Sequence, residues 1–266
     1  MKKTVSLFVA AAAAGIVSLH AGEVCTLNKP GDWRRPADFV PTGEGALKIS
    51  VATRNLAAAK PVKVDPAKSY RFSLKARLAP GSQPTQVYFI AVPRDEEGRT
   101  IYMYNVTPIK GSEGTLAADC QKEDTFLMVK PASRRHWGMV RSWRVCLNAE
   151  DQYADLPNYH ITPNLAAIEN AEDGVIKVTL RTKVNMAAKA GTPVRLHAGG
   201  SYLYVIDIKP TAQWTEYSGT IKGILPSGWK NSSFPVGTET FVPTLMANWG
   251  KKGCAFEIKD VKIEEL

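Results

Sequence analysis

The chain has 266 residues, 44% of them hydrophobic and 22% charged, with a formal net charge of +9. This length is enough for one large β-sandwich or two small domains. One apolar run of about a dozen residues near the start is too short for a bilayer, which needs roughly 20 residues, so we expect no membrane span, with an uncleaved anchor as the alternative.

Residues 1–21 have the pattern of a secretory signal peptide. A positive start at Lys2 and Lys3 precedes an almost purely apolar segment, residues 5–17. This pattern predicts export, with the periplasm, the cell surface and the medium all open as the final location. Loss of Lys2 and Lys3 reduces the 34 basic residues to 32 against 25 acidic ones, so the mature chain 22–266 would carry +7.

A basic exported protein favours anionic surroundings such as sulfated or uronate-bearing glycans, cell walls or lipid headgroups. Nucleic acid is a weaker candidate outside the cell, and we expect no nucleic-acid partner. The alternative is that the excess charge only keeps the protein soluble.

Alternating apolar and charged residues predict β-strands along most of the chain. Residues 70–78 alternate in this way, and a continuous apolar strand at 87–92 is followed by a turn at 95–98. Further strands are predicted at 101–104, 176–180, 202–208 and 215–221. Near the end the apolar phase slips by one residue, which predicts a β-bulge at Lys259-Asp260.

Helix signals are scarce. Residues 163–171 are predicted as one short helix, with Thr162 as its cap and Pro163 at its first position. Many short strands separated by turns predict an all-β fold, a jelly-roll β-sandwich. The region from about 105 to 200 is predicted to be a long, less regular insertion carrying extra strands and this helix.

Several stretches, taken in order, resemble galactose-binding-like carbohydrate-binding modules of exported bacterial proteins. They are GEGALKI at 43–49, VDPAKSYRF at 64–72, WTEYSG at 214–219 and FEIKDVKI at 256–263. The resemblance covers roughly 23–104 and 201–266 and implies a jelly-roll sandwich that binds a glycan without catalysis. DLPN at 155–158, the strand at 175–180 and GTPVRLH at 191–197 resemble an inserted segment of similar exported proteins, which has no settled activity.

The same resemblance bears on a structural calcium ion. The closing strand of these modules often carries paired aspartates that help hold calcium, and the first of them is Lys259 here. Asp260 and Glu44 remain as oxygen ligands. We therefore expect no cofactor, with a structural calcium as the alternative.

Four cysteines lie in the mature chain, without Cys-x-x-Cys or Cys/His spacing for zinc. An even number in an oxidising compartment favours disulfides and allows three connectivities. The expected pairs are Cys25–Cys254, which would tie the two ends together, and Cys120–Cys146, which would close a local loop.

The densest group of candidate ligand-binding residues comprises Arg134, Arg135, His136, Trp137, Arg141, Trp143 and Arg144. Arginine forks match sulfate and carboxylate groups and stack on aromatic rings, so this group predicts a platform for an anionic glycan. Alternatively, a strand at 140–147 places Trp143 in the core and Arg144 in solvent. Trp229 and Trp249, both in loops, are further candidates for ligand contact, whereas Trp33 and Trp214 are assigned to packing.

Nothing in the sequence spells out a catalytic site. It has no H-E-x-x-H zinc pattern and no G-x-S-x-G nucleophile elbow. His197, beside Arg195 and near Tyr202 and Tyr204, supplies the residue types of a lyase, although a hydrogen-bonded structural histidine is the stronger interpretation. The 25 acidic residues leave a hydrolytic carboxylate pair open.

The leading hypothesis is an exported, non-catalytic carbohydrate-binding protein that recognises a polysaccharide or a glycoprotein glycan, including an anionic one. One alternative is a glycan-degrading lyase or glycoside hydrolase on the same scaffold. The other is a structural or adhesive envelope protein without a sugar site. The sequence leaves the identity of the sugar and the oligomeric state open.

Overall fold

The computed structural model describes residues 22–138, 140–228 and 230–266, so the predicted signal peptide lies outside the described residues. This part of the chain is all-β, as the sequence predicts, and its helical segments are 3₁₀ turns of three residues each. The strands are β1 Gly22–Thr26, β2 Val40–Pro41, β3 Leu47–Ile49, β4 Arg54–Ala57, β5 Val62–Lys63, β6 Ser69–Leu78, β7 Val87–Arg94, β8 Gly114–Leu116, β9 Phe126–Pro131, β10 Arg144–Leu147, β11 Ile161–Asn170, β12 Ile176–Leu180, β13 Pro193–His197, β14 Leu203–Ile208, β15 Thr215–Lys222, β16 Ile224–Leu225, β17 Phe234–Pro235, β18 Thr240–Ala247 and β19 Phe256–Glu265. The 3₁₀ turns are Pro30–Asp32, Pro36–Asp38, Gly43–Gly45, Met103–Asn105, Arg134–His136 and Asp151–Tyr153. No helix within the described ranges has the length and apolar character needed to span a membrane.

The first sheet is antiparallel, in the order β15-β6-β19-β3-β2, and β1 also pairs with β19. Strand β6 follows the predicted alternation, because the apolar side chains at 70, 72, 74 and 76 are buried in the core. The pairing of β19 with β6 shifts between Lys259 and Lys262, and Asp260 has a φ of 53°. The β-bulge predicted at Lys259-Asp260 is therefore confirmed.

The second sheet is also antiparallel, in the order β14-β7-β18-β4, with β5 paired to β18. One continuous hydrophobic core lies between the two sheets, as in a β-sandwich. Phe72 of the first sheet packs edge-on against Phe89 of the second at 5.3 Å between ring centroids, and Phe241 lies 5.4 Å from Phe72.

A closed barrel of six strands forms a second unit with its own core. The strand order is β10-β11-β12-β9-β8-β13, and β13 pairs with β10 to close it. The barrel runs from Gly114 to His197, within the region predicted as an insertion. Since β7 and β14 pair directly with each other, the whole barrel is inserted between two neighbouring strands of the second sheet.

Two local predictions in this region are wrong. Residues 163–170 of the predicted helix belong to strand β11, and the hydroxyl of Thr162 accepts a hydrogen bond from Val145 N–H of β10 instead of capping a helix. Sheet pairing with β10 and β12 supplies the backbone hydrogen bonds that a helix would have made. The segment 101–104 forms part of a 3₁₀ turn rather than a strand.

Both predicted disulfides are wrong, since the four cysteines of the described chain are unbonded. Cys25 pairs with Ile263 near the far end of β19, whereas Cys254 precedes the start of that strand. Ile263 lies seven positions after Phe256, about 20 Å along the strand, which is far beyond disulfide reach. Cys120 faces the barrel core, whereas Cys146 alternates with the core residues on either side of it and points outward.

We expect the purified, unreduced protein to yield four titratable thiols per chain when it is denatured in the presence of a thiol reagent. The folded protein should react more slowly, because Cys120, Cys146 and Cys254 are buried. Two thiols or fewer per denatured chain would contradict the arrangement of the cysteines in this fold.

Candidate functional site

A cluster of tyrosines covers the outer face of the second sheet, the face that points away from the sandwich core. Its members, each partly exposed, are Tyr88, Tyr102, Tyr104, Tyr202 and Tyr204. Neighbouring ring centroids are 5.1 Å apart for Tyr102–Tyr104, 6.3 Å for Tyr102–Tyr202, 6.5 Å for Tyr202–Tyr204 and 5.3 Å for Tyr204–Tyr88. The five rings therefore form one continuous aromatic surface, called the tyrosine face below.

Strand pairing explains this arrangement. Tyr88 of β7 alternates with the core residues Val87 and Phe89, so its ring points outward. The pairing of β14 with β7 brings Tyr204 opposite Ile90 of the same outer face. Tyr102 and Tyr104 come from the segment that leads from β7 into the barrel.

The tyrosine rings cover the sheet beneath them. Ile90, Thr244 and Met246 do not belong to the sandwich core, yet each is at most 2% exposed. The hydroxyl of Tyr202 accepts a hydrogen bond from Asn55 Nδ2 of β4 at 3.0 Å, so this side chain extends from the β14 edge to the β4 edge of the sheet. The rings are thus held in place before any ligand arrives, which lowers the entropic cost of binding.

Arg144 of the barrel borders the tyrosine face. Its guanidinium carbon lies 3.7 Å from the centroid of the Tyr104 ring. Burial raises the pKa of the Tyr104 hydroxyl, and the nearby Arg144 charge opposes that shift only in part. Tyr104 is therefore neutral at physiological pH and stacks with a cation on one side and Tyr102 on the other.

The structure divides the arginine, histidine and tryptophan cluster predicted from the sequence. Trp137 is fully buried in the barrel core and cannot contact a ligand, whereas Trp143 packs against that core and is partly exposed. His136 packs beside Gly111, and Arg141 is exposed. Arg144 borders the tyrosine face, because it alternates with the core residue Val145 and points outward.

Trp249 lies in the turn after β18 and is 48% exposed. The preceding Asn248 is fully buried: its Nδ2 donates to the carbonyls of Val51 and Cys254, and its Oδ1 accepts from the Thr85 hydroxyl. The backbone N–H of Trp249 donates to the backbone carbonyl of Gln86, two residues before Tyr88. The turn therefore holds Trp249 at the end of the same sheet that carries the tyrosine face. Trp229, the other loop candidate, lies outside the described residues.

His197 is a structural residue. It is fully buried, its Nε2 accepts from Arg195 Nε at 2.8 Å, and its Nδ1 lies 2.7 Å from the carbonyl of Tyr104. Burial lowers its pKa to about 4. With both ring nitrogens bonded inside the protein, His197 has no nitrogen left to take a proton from a substrate, so the lyase arrangement built on it has no support.

The two oxygen ligands considered for calcium are each paired with a lysine. Glu44 lies 3.4 Å from Lys259 and Asp260 lies 3.0 Å from Lys75. Within the described ranges, no three histidine, cysteine or acidic side chains lie close enough together to hold a metal ion. Trp214 packs between Arg77 and Lys259, each cation 4.4 Å from its ring, so its assignment to packing rather than to ligand contact agrees with these contacts.

The sequence interpretation missed the tyrosines as a group. The chain has nine tyrosines, and five of them form this one surface. The available signal was the pair of Tyr-x-Tyr spacings, Tyr102-x-Tyr104 and Tyr202-x-Tyr204, which concentrates four aromatic rings in two short segments. No protein-family model matches this chain, and no curated protein is significantly similar to it.

Proposed function

We propose that the protein is an exported, non-catalytic carbohydrate-binding protein that holds a glycan against the tyrosine face. The observation that carries this proposal is the continuous, partly exposed layer of five tyrosine rings on one sheet. Aromatic rings offer large apolar surfaces for the C–H faces of sugar rings, and tyrosine hydroxyls add hydrogen-bonding groups at the ring edges. The proposal includes the jelly-roll topology, since two antiparallel sheets enclose the sandwich core.

Polar groups around the tyrosine face suit the recognition of sugar hydroxyls. Asn55 donates to Tyr202, while Gln86 donates to the carboxylate of Asp207, which lies opposite Tyr88 on the same face. Ligand sites typically combine apolar walls with a few polar groups in fixed positions. Here the aromatic layer would supply most of the affinity, and the amides and the carboxylate would select among sugars.

Binding of the mature protein to a glycan array, followed by calorimetry on the hits, tests this proposal. Tyr102→Ala should weaken binding about tenfold, because truncating a central aromatic contact typically costs more than 1 kcal/mol. Tyr202→Phe should keep most of the affinity, since it retains the ring and loses only the hydroxyl that accepts from Asn55. Phe126→Ala is the matched control, because this aromatic residue is 41% exposed on barrel strand β9.

Equal losses for Tyr102→Ala and Phe126→Ala would contradict binding at the tyrosine face. Formation of a shortened glycan during the assay would contradict the non-catalytic role and favour the lyase or hydrolase alternative. Absence of binding across neutral, sulfated and uronate glycans would contradict the proposal and favour an envelope protein without a sugar site.

A further inference from the structure

A basic cleft opens on the barrel beside Arg144. Its volume is about 510 Å³, and its lining includes three cationic side chains, Arg144, Arg181 and Lys183, together with Asn164 and Asn185. Because Arg144 also stacks on Tyr104, the cleft begins where the tyrosine face ends.

Strand register explains why these side chains converge. Arg144 of β10 lies directly opposite Asn164 of β11, so both project from the same face of the barrel wall. Arg181 follows β12, and its N–H donates to the carbonyl of Asn164 at 2.9 Å. Arg144, Asn164 and Arg181 therefore occupy neighbouring positions along one row, with an arginine on each side of the amide.

Among the described residues, the two arginines of this row have no acidic partner. In the described parts of the chain, neither Arg144 nor Arg181 lies within 4.0 Å of a carboxylate, while Lys183 pairs with the exposed Glu123 at 3.1 Å. Two guanidinium groups without a carboxylate partner among the described residues match an anionic group of a ligand.

We propose that this cleft binds the anionic substituent, a carboxylate or a sulfate, of the glycan held on the tyrosine face. Arg144 and Arg181 would donate to the anion's oxygens. Arginine pairs well with both anions because its planar fork matches two oxygens at once. This inference rests on the proposed glycan binding and narrows the ligand from glycans in general to acidic ones.

Matched ligand pairs test the cleft separately from the tyrosine face. Uronate oligosaccharides are compared with their carboxyl-reduced counterparts, and sulfated oligosaccharides with their desulfated forms, at low and at physiological salt. We expect one acidic form to bind at least about tenfold more tightly than its neutral counterpart, as for charge-assisted hydrogen bonds, with a preference that shrinks as salt increases. The pair that shows the preference identifies the anion as carboxylate or sulfate.

Arg181→Gln and Asn164→Asp should each abolish the acidic preference, because the first removes a positive charge from the cleft and the second offsets one. Asn164→Asp keeps the shape of the side chain and places a negative charge between the two arginines. Arg135→Gln is the control, because Arg135 is exposed and lies outside the cleft lining. Thermal unfolding of each variant verifies that it is folded.

Equal affinity for the acidic and neutral forms would contradict anion binding in the cleft and leave the glycan-binding proposal standing. An acidic preference that survives Arg181→Gln and Asn164→Asp would also contradict anion binding there. Failure to bind either form of any pair would overturn both proposals.

Discussion

Asp155→Ala should lower the free energy of unfolding by about 3–5 kcal/mol, the usual cost of removing one partner of a buried ion pair. The Asp155 carboxylate lies 2.6 Å from Arg195 Nη2, and the two side chains are only 6% and 1% exposed. Burial by itself would raise the pKa of Asp155, but hydrogen bonds from Asn158 and Arg195 outweigh it and hold this pKa below 3.8. The variant would leave the Arg195 guanidinium buried without its counter-charge.

The effect should extend beyond one pair because Asp155 belongs to a polar network at the junction of barrel and sandwich. Asn158 Nδ2 donates to Asp155 Oδ2, and the backbone carbonyl of Asn158 accepts from Asn105 Nδ2 at 2.8 Å. Asn105 lies in the segment that leads from β7 into the barrel. Loss of Asp155 would therefore loosen the hydrogen bond between Asn158 and Asn105, the residue that follows Tyr104 of the tyrosine face.

Chemical denaturation of Asp155→Ala against Asp119→Ala measures this effect. Asp119 pairs with Lys189 at 2.8 Å, but both side chains are largely exposed, so its removal should cost less than about 1 kcal/mol. The double variant Asp155→Leu with Arg195→Met should recover part of the lost stability, since no buried charge is left alone. Equal losses for Asp155→Ala and Asp119→Ala would show that the buried pair is unimportant.

Much of the sandwich could be predicted from the sequence, because its strands carry their own signal. Strand β6 buries one face and exposes the other, which produces the alternation read over 70–78. The bulge in β19 appeared as a one-residue slip of the same pattern. These features are local, so short segments of sequence contain them.

The barrel could not be predicted because its pairings are non-local and its strands are short. Strand β8 has three residues and β10 has four, too few to show a period. Closure depends on β10 pairing with β13, about fifty residues later in the chain. Thr162-Pro163 favours a helix start locally, but pairing across the barrel wall overrides that preference.

The tyrosine face was missed for a related reason. Tyr88 and Tyr204 are separated by the whole inserted barrel, and only the pairing of β7 with β14 brings them to 5.3 Å. In contrast, Arg134, His136, Trp137 and Trp143 are close in sequence but are divided by the barrel wall, which buries Trp137. Density along the chain therefore pointed to a cluster that the fold divides, and its last member, Arg144, borders the tyrosine face.

His197 should make the protein less stable as the pH falls from about 6.5 to about 4. Its folded pKa is about 4 because burial disfavours the charged ring, against an ordinary value of 6.5. Protonation would also turn Nε2 into a donor facing the Arg195 Nε–H donor, next to a guanidinium charge. The unfolded chain therefore takes up a proton first on acidification, and low pH favours unfolding.

The sign and size of this effect follow from the two pKa values. The stabilisation is fully present above pH 6.5, falls steadily below it and is lost near pH 4, a total of about 3 kcal/mol. Asp155 contributes outside this window, since its folded pKa lies below 3.8 and its stabilising effect is lost only at more acidic pH. Unfolding free energies of the wild type and His197→Gln are measured at half-unit steps between pH 4 and 7.5. The difference between the two should shrink by about 3 kcal/mol as the pH falls. Parallel curves would show that His197 is not held neutral in the folded protein, and would reopen a role for it as a proton acceptor.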